Sequence, residues 1–203
     1  MRKARIAVLV SGGGTNLQAI LDAQARGEIP HGEVTLVISD RSGAYALERA
    51  KAAGVASLEI NKKACGGQAP FEEKLTAALE ENRTDVIVLA GFLSILTENF
   101  TARYPRRILN VHPSLIPSFC GAGFYGLKVH EAALERGVKV TGATVHFVNE
   151  IPDGGEIIAQ KAVEVLPGDT PEILQRRVME QAEWVILPAS VEKVCAALAR
   201  GAE

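Results

Sequence analysis

Asn110 and His112 are the residues of this chain whose types and spacing most clearly suggest chemistry. They interrupt an apolar run that begins at Ile108 and ends before Pro113. Because side chains two apart on a strand point to the same face, the amide and the imidazole should project together. An imidazole can donate or accept a proton near neutral pH, and an amide N–H can stabilise a developing oxyanion. Pro113 ends the strand, which places the pair at the edge where open α/β sheets bind ligands.

A glycine-rich segment, residues 11–16, separates a predicted strand from a predicted helix. Glycines let the backbone approach a ligand closely, and the free N–H groups of a helix start attract anions. The segment therefore favours phosphate binding over the alternative, a plain glycine turn with Thr15 or Asn16 as N-cap. The dinucleotide-binding pattern fails at Leu17, where a third glycine is required, although Asp40 resembles an acid that binds a ribose. A nicotinamide-binding Rossmann protein is therefore the less favoured alternative.

The segment from Asn149 to Gly155 contains a Pro-Asp-Gly sequence, which first of all predicts a turn. If this turn folds near His112, the carboxylate of Asp153 would favour the imidazolium form. His146 lies in an alternating apolar strand and is expected to be a packed histidine. Cys120 lies in a glycine-rich loop without an assured partner, so we expect an unreactive thiol.

Composition excludes several classes of protein. The chain has 203 residues and a net charge of −2, which is not the basic balance of a nucleic-acid-binding domain. Its three cysteines are far apart and its apolar runs are short, so we expect neither a metal site nor a membrane span. These features predict a cytoplasmic protein with neither nucleic acid nor a membrane as its partner, and both a monomer and a homodimer are compatible with them.

The alternation of apolar strands and helical patterns predicts the fold class. The predicted strands of the first part are residues 5–10, 34–39, 55–60, 85–90 and 108–112, and the predicted helices are residues 16–25, 44–53 and 71–81. This order indicates an α/β fold with a doubly wound, mostly parallel twisted sheet. A helix over residues 130–136 follows, and then two strands, residues 140–148 and 157–165, which are expected to pair antiparallel. Residues 170–200 predict one long C-terminal helix or two, with Pro188 as a kink or break.

Five segments together resemble the phosphoribosylglycinamide formyltransferase family, from Ile6 to about Pro188. They are V-L-V-S-G-G-G-T-N-L-Q-A-I near the start, D-V-I-V-L-A-G-F-L, I-L-N-V-H-P-S-L-I-P, G-A-T-V-H-F-V and D-G-G-E-I-I-A-Q. The resemblance implies a Rossmann-like variant and a step of purine synthesis. In that step a formyl group passes from the co-substrate 10-formyltetrahydrofolate to the amine of glycinamide ribonucleotide, without a metal.

The resemblance also implies roles for individual residues. Asn110, His112 and Asp153 would be catalytic, and Glu183 would contact the glycinamide. The backbone of Gly14, Thr15 and Asn16 would hold the substrate phosphate. The implied folate-binding residues are Gln68, Leu93, Ser94, Ile95, Leu96, Asn110, Asn149, Glu150, Ile151, Pro152 and Asp153. The chain is then expected to form one formyltransferase domain over 1–203, with a phosphate- and ribonucleotide-binding half (1–105) and a catalytic and folate-binding half (106–203).

Two departures from the family pattern leave alternatives open. Gln68 stands where relatives often have an arginine, so either Gln68 or the pair Lys62 and Lys63 would make that contact with the folate. Trp184 stands where a histidine is common, with one extra residue before it. A different folate-dependent formyltransferase or hydrolase is the main alternative function, and such enzymes are expected to carry an additional domain.

Overall fold

The computed structural model describes residues 2–201, which contain one seven-stranded sheet. In chain order the strands are β1 (Ala4–Val10), β2 (Gly32–Ser39), β3 (Ala56–Glu59), β4 (Val86–Leu89), β5 (Ile108–His112), β6 (Val140–Phe147) and β7 (Ile157–Glu164). They lie side by side in the order β3-β2-β1-β4-β5-β6-β7. The pairs up to β5 are parallel, and β6 and β7 pair antiparallel, so the predicted fold class is confirmed.

Helices connect the strands and flank the sheet. They are α1 (Thr15–Ala25), α2 (Tyr45–Ala52), α3 (Lys62–Cys65), α4 (Gln68–Glu81), α5 (Glu98–Thr101), α6 (Leu127–Arg136), α7 (Pro171–Val178) and α8 (Trp184–Ala199). The four-residue helices α3 and α5 are absent from the sequence prediction, because one turn is too short to show a helical period. None of the helices within residues 2–201 has the length and apolar character needed to cross a membrane.

Successive residues of β1 enter two hydrophobic cores on opposite faces of the sheet, because strand side chains alternate. Ile6 and Val8 belong to the core that α1 and α8 cover, and Ala7 and Leu9 belong to the core beneath α4. A sheet that is buried on both faces requires nearly continuous apolar strands, and β1 and β4 have them. The apolar strands thus position the polar residues that follow them.

The C-terminal helical region changes its geometry before Pro188, not at it. Residues Met179–Glu183 form a π-helical turn between α7 and α8, whereas Pro188 lies inside α8. Of the two predicted alternatives, a kink or a break, the break at Pro188 was therefore wrong. Proline removes the hydrogen bond to the carbonyl of Trp184, the first residue of α8, but the helix continues past it to Ala199. A π turn accommodates one residue more than an α turn, which agrees with the extra residue counted before Trp184.

The register of the sheet brings several chain segments to one edge. Leu89 of β4 and His146 of β6 are the partners of Asn110 on either side of β5. The N–H of Ser11, which follows β1, donates to the carbonyl of Gly91, which follows β4, at 3.2 Å. The glycine-rich segment and the carboxyl end of β5 therefore lie on the same side of the molecule.

Gly142 offers a test of the packing of β6 on β7. A Cβ atom at this position would lie 2.0 Å from the carbonyl oxygen of Lys161. We expect Gly142→Ala to lower the free energy of unfolding by about 1–3 kcal/mol, because the strands would have to separate. Gly13→Ala is the control, since a Cβ there meets nothing within 4 Å. Equal unfolding free energies for the two variants in urea would contradict this close approach.

Candidate active site

Strand β5 presents Asn110 and His112 on one face, as alternation predicts. Leu109 and Val111 pack on the opposite face, in the core that α1 and α8 cover. The side chains of Asn110 and His112 both lie within 3.5 Å of the carboxylate of Asp153. The structure thus brings the carboxylate of Asp153, which lies 43 residues after Asn110 in the sequence, to the amide and the imidazole.

The imidazole of His112 is held between two acceptors and is 4% exposed. Its Nε2 lies 2.8 Å from the carbonyl oxygen of Phe119. A carbonyl can only accept, so Nε2 carries a hydrogen in this arrangement. The other ring nitrogen, Nδ1, lies 3.5 Å from Oδ2 of Asp153. The Phe119 contact ties the loop after β5 to the imidazole.

His146 contacts the amide of Asn110, which sequence reasoning did not foresee. Its Nδ1 lies 2.8 Å from the carbonyl of Phe147, so Nδ1 donates and the neutral ring can accept at Nε2. Nδ2 of Asn110 lies 3.1 Å from that Nε2 and 3.5 Å from Oδ1 of Asp153. His146 is buried as predicted, but it also orients the amide. The antiparallel register, which pairs Asn110 with His146, was the missing signal.

The turn that carries Asp153 has an unusual backbone. Asp153 has φ 57°, a left-handed conformation that aspartate tolerates better than most residues. Gly155 follows so close to β6 that a Cβ would lie 1.8 Å from the carbonyl oxygen of Phe147. Glycine is therefore needed to bring the turn, and with it the carboxylate, against the histidines.

Several donors stabilise the negative charge of Asp153. Burial by itself raises the pKa of this carboxyl, but the contact with Nε2 of His146 at 3.6 Å, the hydrogen bond from the N–H of Gly121 and the charge of His112 lower it more, and the net pKa is lowered. The Gly121 N–H lies 2.8 Å from Oδ2. Asp153 in turn raises the pKa of the neighbouring Cys120, after the larger effect of burial. Cys120 therefore stays a thiol, in agreement with its predicted lack of reactivity.

The glycine-rich segment leads into α1 without a side-chain cap. Gly14 is the N-cap, with φ 73°, and neither Thr15 nor Asn16 caps the helix. A Cβ on Gly14 would lie 2.6 Å from the Cβ of Ala46, so glycine also permits the close packing of α2. The first turn of α1 contains no acidic residue. Its N–H groups therefore suit an anion.

Asn16 and Glu183 form a buried pair at the start of α1. Nδ2 of Asn16 donates to Oε2 of Glu183 at 2.6 Å, across 167 residues of sequence. Burial raises the pKa of Glu183 more than the hydrogen bond from Asn16 lowers it, so the net pKa is raised. The π-helical turn, of which Glu183 is the last residue, delivers this carboxylate to the glycine-rich segment.

The segment after β4 is fixed by polar contacts and exposes apolar side chains. The N–H of Leu93 donates to Oγ of Ser11 at 2.8 Å, and Oγ of Ser94 donates to Oδ2 of Asp40 at 2.6 Å. Nε2 of Gln68 donates to the carbonyl of Ile95 at 2.9 Å. Leu93 and Ile95 are 46% and 70% exposed, whereas Leu96 is buried. Gln68 therefore supports the segment through its amide N–H.

The remaining predicted folate contacts lie in two places. Asn149, Glu150 and Pro152 share the Asp153 turn with Ile151, whose side chain is 57% exposed. Oδ1 of Asn149 accepts from the N–H of Ile151 at 3.0 Å and shapes this turn. Lys62 and Lys63 line an open cavity together with Ser94, so the alternative of Gln68 or the lysines stays open. Among residues 2–201 no three His, Cys, Asp or Glu side chains are grouped as metal ligands.

Comparisons with known proteins agree in one family. A family model described as formyl transferase matches residues 4–190. Phosphoribosylglycinamide formyltransferase of Haemophilus influenzae is 41% identical over 93% of this chain and 85% of that protein. The crystal structure of glycinamide ribonucleotide transformylase 1 from Symbiobacterium toebii has a TM-score of 0.89 and 45% identity, covering 96% of this chain and 89% of that one.

Other relatives are much longer. The trifunctional purine biosynthetic protein adenosine-3 of Bos taurus is 42% identical over 98% of this chain, which spans 19% of that protein. The chain therefore corresponds to about a fifth of the length of these relatives.

Asp153→Asn tests the electrostatics of the cluster. The folded pKa of Asp153 is below the ordinary value of about 3.9, so its ionised form stabilises the fold above that pH and less as pH falls through the folded pKa. We expect Asp153→Asn to lower the free energy of unfolding by roughly 1–3 kcal/mol at pH 7. The difference from wild type should shrink below about pH 4.

Glu150→Gln is the matched control, because this exposed side chain in the same turn makes no hydrogen bond or ion pair within residues 2–201. Urea unfolding followed from pH 7 to pH 3 measures the difference. A loss in Asp153→Asn that is equal at both ends of this pH range would contradict the charge assigned to Asp153.

Proposed function

The chain belongs to the formyl transferase family, among the phosphoribosylglycinamide formyltransferases, and from this premise we propose that it transfers the formyl group of 10-formyltetrahydrofolate to the amine of glycinamide ribonucleotide. The observation that carries this proposal is the meeting of Asn110, His112 and Asp153 at the carboxyl end of β5. Acyl transfer between two bound molecules requires positioning, oxyanion stabilisation and a proton path, and these three side chains suit the last two tasks.

Stabilisation of the oxyanion is the first requirement. When the amine attacks the formyl carbon, a C–N bond forms and negative charge develops on the formyl oxygen. The second hydrogen on Nδ2 of Asn110 faces Asp153 only at 3.5 Å, a weak contact, so it can turn toward that oxygen. Nε2 of His112 now donates to Phe119, and an oxyanion would replace this carbonyl as the stronger acceptor. Substrate binding therefore includes release of the Phe119 contact.

Proton movement is the second requirement. The attacking amine must lose one proton, and N10 of the folate must gain one as its bond to the formyl carbon breaks. The Asp153 carboxylate lies 3.5 Å from Nδ1 of His112, beside the proposed position of the reacting carbon. Through a water molecule it also provides a route from the amine to N10. In this scheme His112 donates to the oxyanion and Asp153 acts as the relay.

The folate is proposed to lie between the segment after β4 and the Asp153 turn. Leu93, Ile95 and Ile151 expose large apolar surfaces there, which suit a flat heterocycle. Val148, which precedes the turn, packs against the core that contains Leu96. The apolar walls and the polar cluster thus belong to one continuous region.

The ribonucleotide is proposed to bind at the start of α1. Backbone N–H groups of Gly14, Thr15 and Asn16 would hold the phosphate. Glu183 uses Oε2 for Asn16, and its Oε1 makes no hydrogen bond within residues 2–201. A buried carboxylate with a raised pKa gains from a nearby donor, so Oε1 would accept from the glycinamide amine and direct the nitrogen lone pair toward the formyl carbon.

A spectroscopic assay of formyl transfer with both substrates tests the proposed function. We expect turnover only when glycinamide ribonucleotide and 10-formyltetrahydrofolate are both present. Release of formate from the folate without the ribonucleotide would instead indicate a hydrolase, and absence of turnover with both would refute the proposal.

Variants of β5 test the assigned chemistry. We expect His112→Ala and Asn110→Ala each to lower kcat by about 10²–10³-fold, because each removes a donor to the oxyanion. His31→Ala is the control, because this exposed histidine pairs with Glu192 outside the cluster. Circular dichroism would verify that each variant is folded. A wild-type kcat in a folded His112→Ala variant would contradict the proposed role of the imidazole.

Glu183→Gln tests the amine contact. We expect its KM for glycinamide ribonucleotide to rise roughly tenfold, because one charged hydrogen bond to the amine is lost. The KM for the folate should change little. Glu180→Gln is the matched control, because Glu180 is an exposed residue of the same π-helical turn. Equal increases in both KM values would show that Glu183 supports the fold and does not contact the ribonucleotide.

A further inference from the structure

Arg49 lies against the glycine-rich segment and has no part in the proposed reaction. Its Nε donates to the carbonyl of Gly13 at 2.7 Å, and its Nη1 donates to Oε1 of Gln18 at 3.0 Å. The central guanidinium carbon lies 5.0 Å from the ring centroid of Tyr45. Contacts with three residues thus hold the planar group in one orientation. A fixed guanidinium loses little entropy when it binds a ligand.

A cavity of about 260 Å³ opens beside this guanidinium. Thr15, in the first turn of α1, lies at one end, and Trp184 forms a wall. Asp22, near the end of α1, and Arg26, which directly follows that helix, line the far end of the cavity. The charged groups at that far end already have partners, because Asp22 accepts from Gln18 at 2.8 Å and Arg26 pairs with Glu28 at 2.7 Å.

The end of the cavity near Thr15 has the opposite character. Arg49 is half-buried and has no carboxylate within ion-pair distance among residues 2–201. The first turn of α1 adjoins it and has neither an acidic residue nor a side-chain cap. Two kinds of donor, the guanidinium and the helix N–H groups, therefore surround one small volume. A dianionic phosphate monoester has the charge and the oxygen geometry that match both.

We propose that Arg49 binds the phosphate of the substrate and makes the site selective for phosphate monoesters over the corresponding neutral sugars. The identity of the ribonucleotide rests on the proposed function, whereas phosphate binding does not require formyl transfer. The contact with Gly13 sets the position of Arg49, and Nη2 faces the ligand. This arrangement explains why a cation without an acidic partner is kept beside the glycine-rich segment.

Trp184 provides a reporter of this binding. It is the only tryptophan of the chain and it lines the same cavity as Arg49. Its indole nitrogen is buried without a hydrogen-bond partner in the part of the chain that the structure describes. An anion that enters the cavity should change the emission of this indole, so intrinsic fluorescence reads the site without turnover.

The first experiment titrates the protein with ribose 5-phosphate and with ribose while Trp184 emission is recorded. We expect saturable binding of ribose 5-phosphate, competition by inorganic phosphate and no response to ribose. Arg49→Gln should raise the dissociation constant for ribose 5-phosphate about ten- to a hundredfold, because the charge-assisted hydrogen bonds to the phosphate are lost. Arg49→Lys should weaken binding to an intermediate degree, because lysine keeps the positive charge but lacks the planar pair of N–H donors of a guanidinium. Arg26→Gln is the matched control and should stay within twofold of wild type.

The second experiment separates recognition from support of the glycine-rich segment. It compares kcat/KM for glycinamide ribonucleotide and for its dephosphorylated analogue in wild type and Arg49→Gln. Recognition predicts a loss confined to the phosphorylated substrate. Equal losses for both substrates would show that Arg49 only supports Gly13, and would overturn the proposal.

The two proposals fail differently. Normal formyl transfer together with an unchanged dissociation constant in Arg49→Gln would overturn the role of Arg49 and leave the proposed function intact. Phosphate binding that depends on Arg49 in a protein without formyl transfer would support the phosphate site and refute the proposed function.

Discussion

The site depends on keeping the carboxylate of Asp153 ionised while most of its surface is buried. Burial alone would favour the neutral acid, so the surrounding donors must offset it. The Gly121 N–H, the two histidines and the amide of Asn110 come from three segments of the chain, because Asn110 and His112 share β5. Because they converge on one carboxylate, the orientation of each is set by the others. Loss of this charge would release the turn, the loop after β5 and the amide together.

The sheet supplies the framework for that convergence. Its parallel strands end at one edge, so polar residues that follow β1, β4 and β5 meet there without a special arrangement of each loop. The antiparallel strand β6 starts near this edge, runs back along β5 and places His146 opposite Asn110. The glycine-rich segment lies beside them through the Ser11 contact with Gly91. The proposed anion site and the proposed oxyanion site are thus neighbours, which a transfer between two bound molecules requires.

The sequence predicted those features that depend on local pattern. The alternation of apolar strands and helical patterns predicted the α/β fold class. Side-chain alternation within β5 placed Asn110 and His112 on one face, and the glycine run located the start of α1. The approach of Asp153 depends on a left-handed turn and on Gly155, which no local pattern measures. The π-helical turn was missed because a helical period does not reveal a single added residue. The contacts of Arg49 and His146 join segments that are distant in the chain, and a single sequence records neither register nor helix packing.

A double-mutant cycle of His112→Ala and Asp153→Asn, measured on kcat for formyl transfer, tests the coupling of these two side chains most directly. If the imidazole and the carboxylate act as one unit, the double variant should lose little more than the more damaged single variant. Losses that multiply in the double variant would show that the two groups act independently, and would contradict the arrangement on which the proposed function depends.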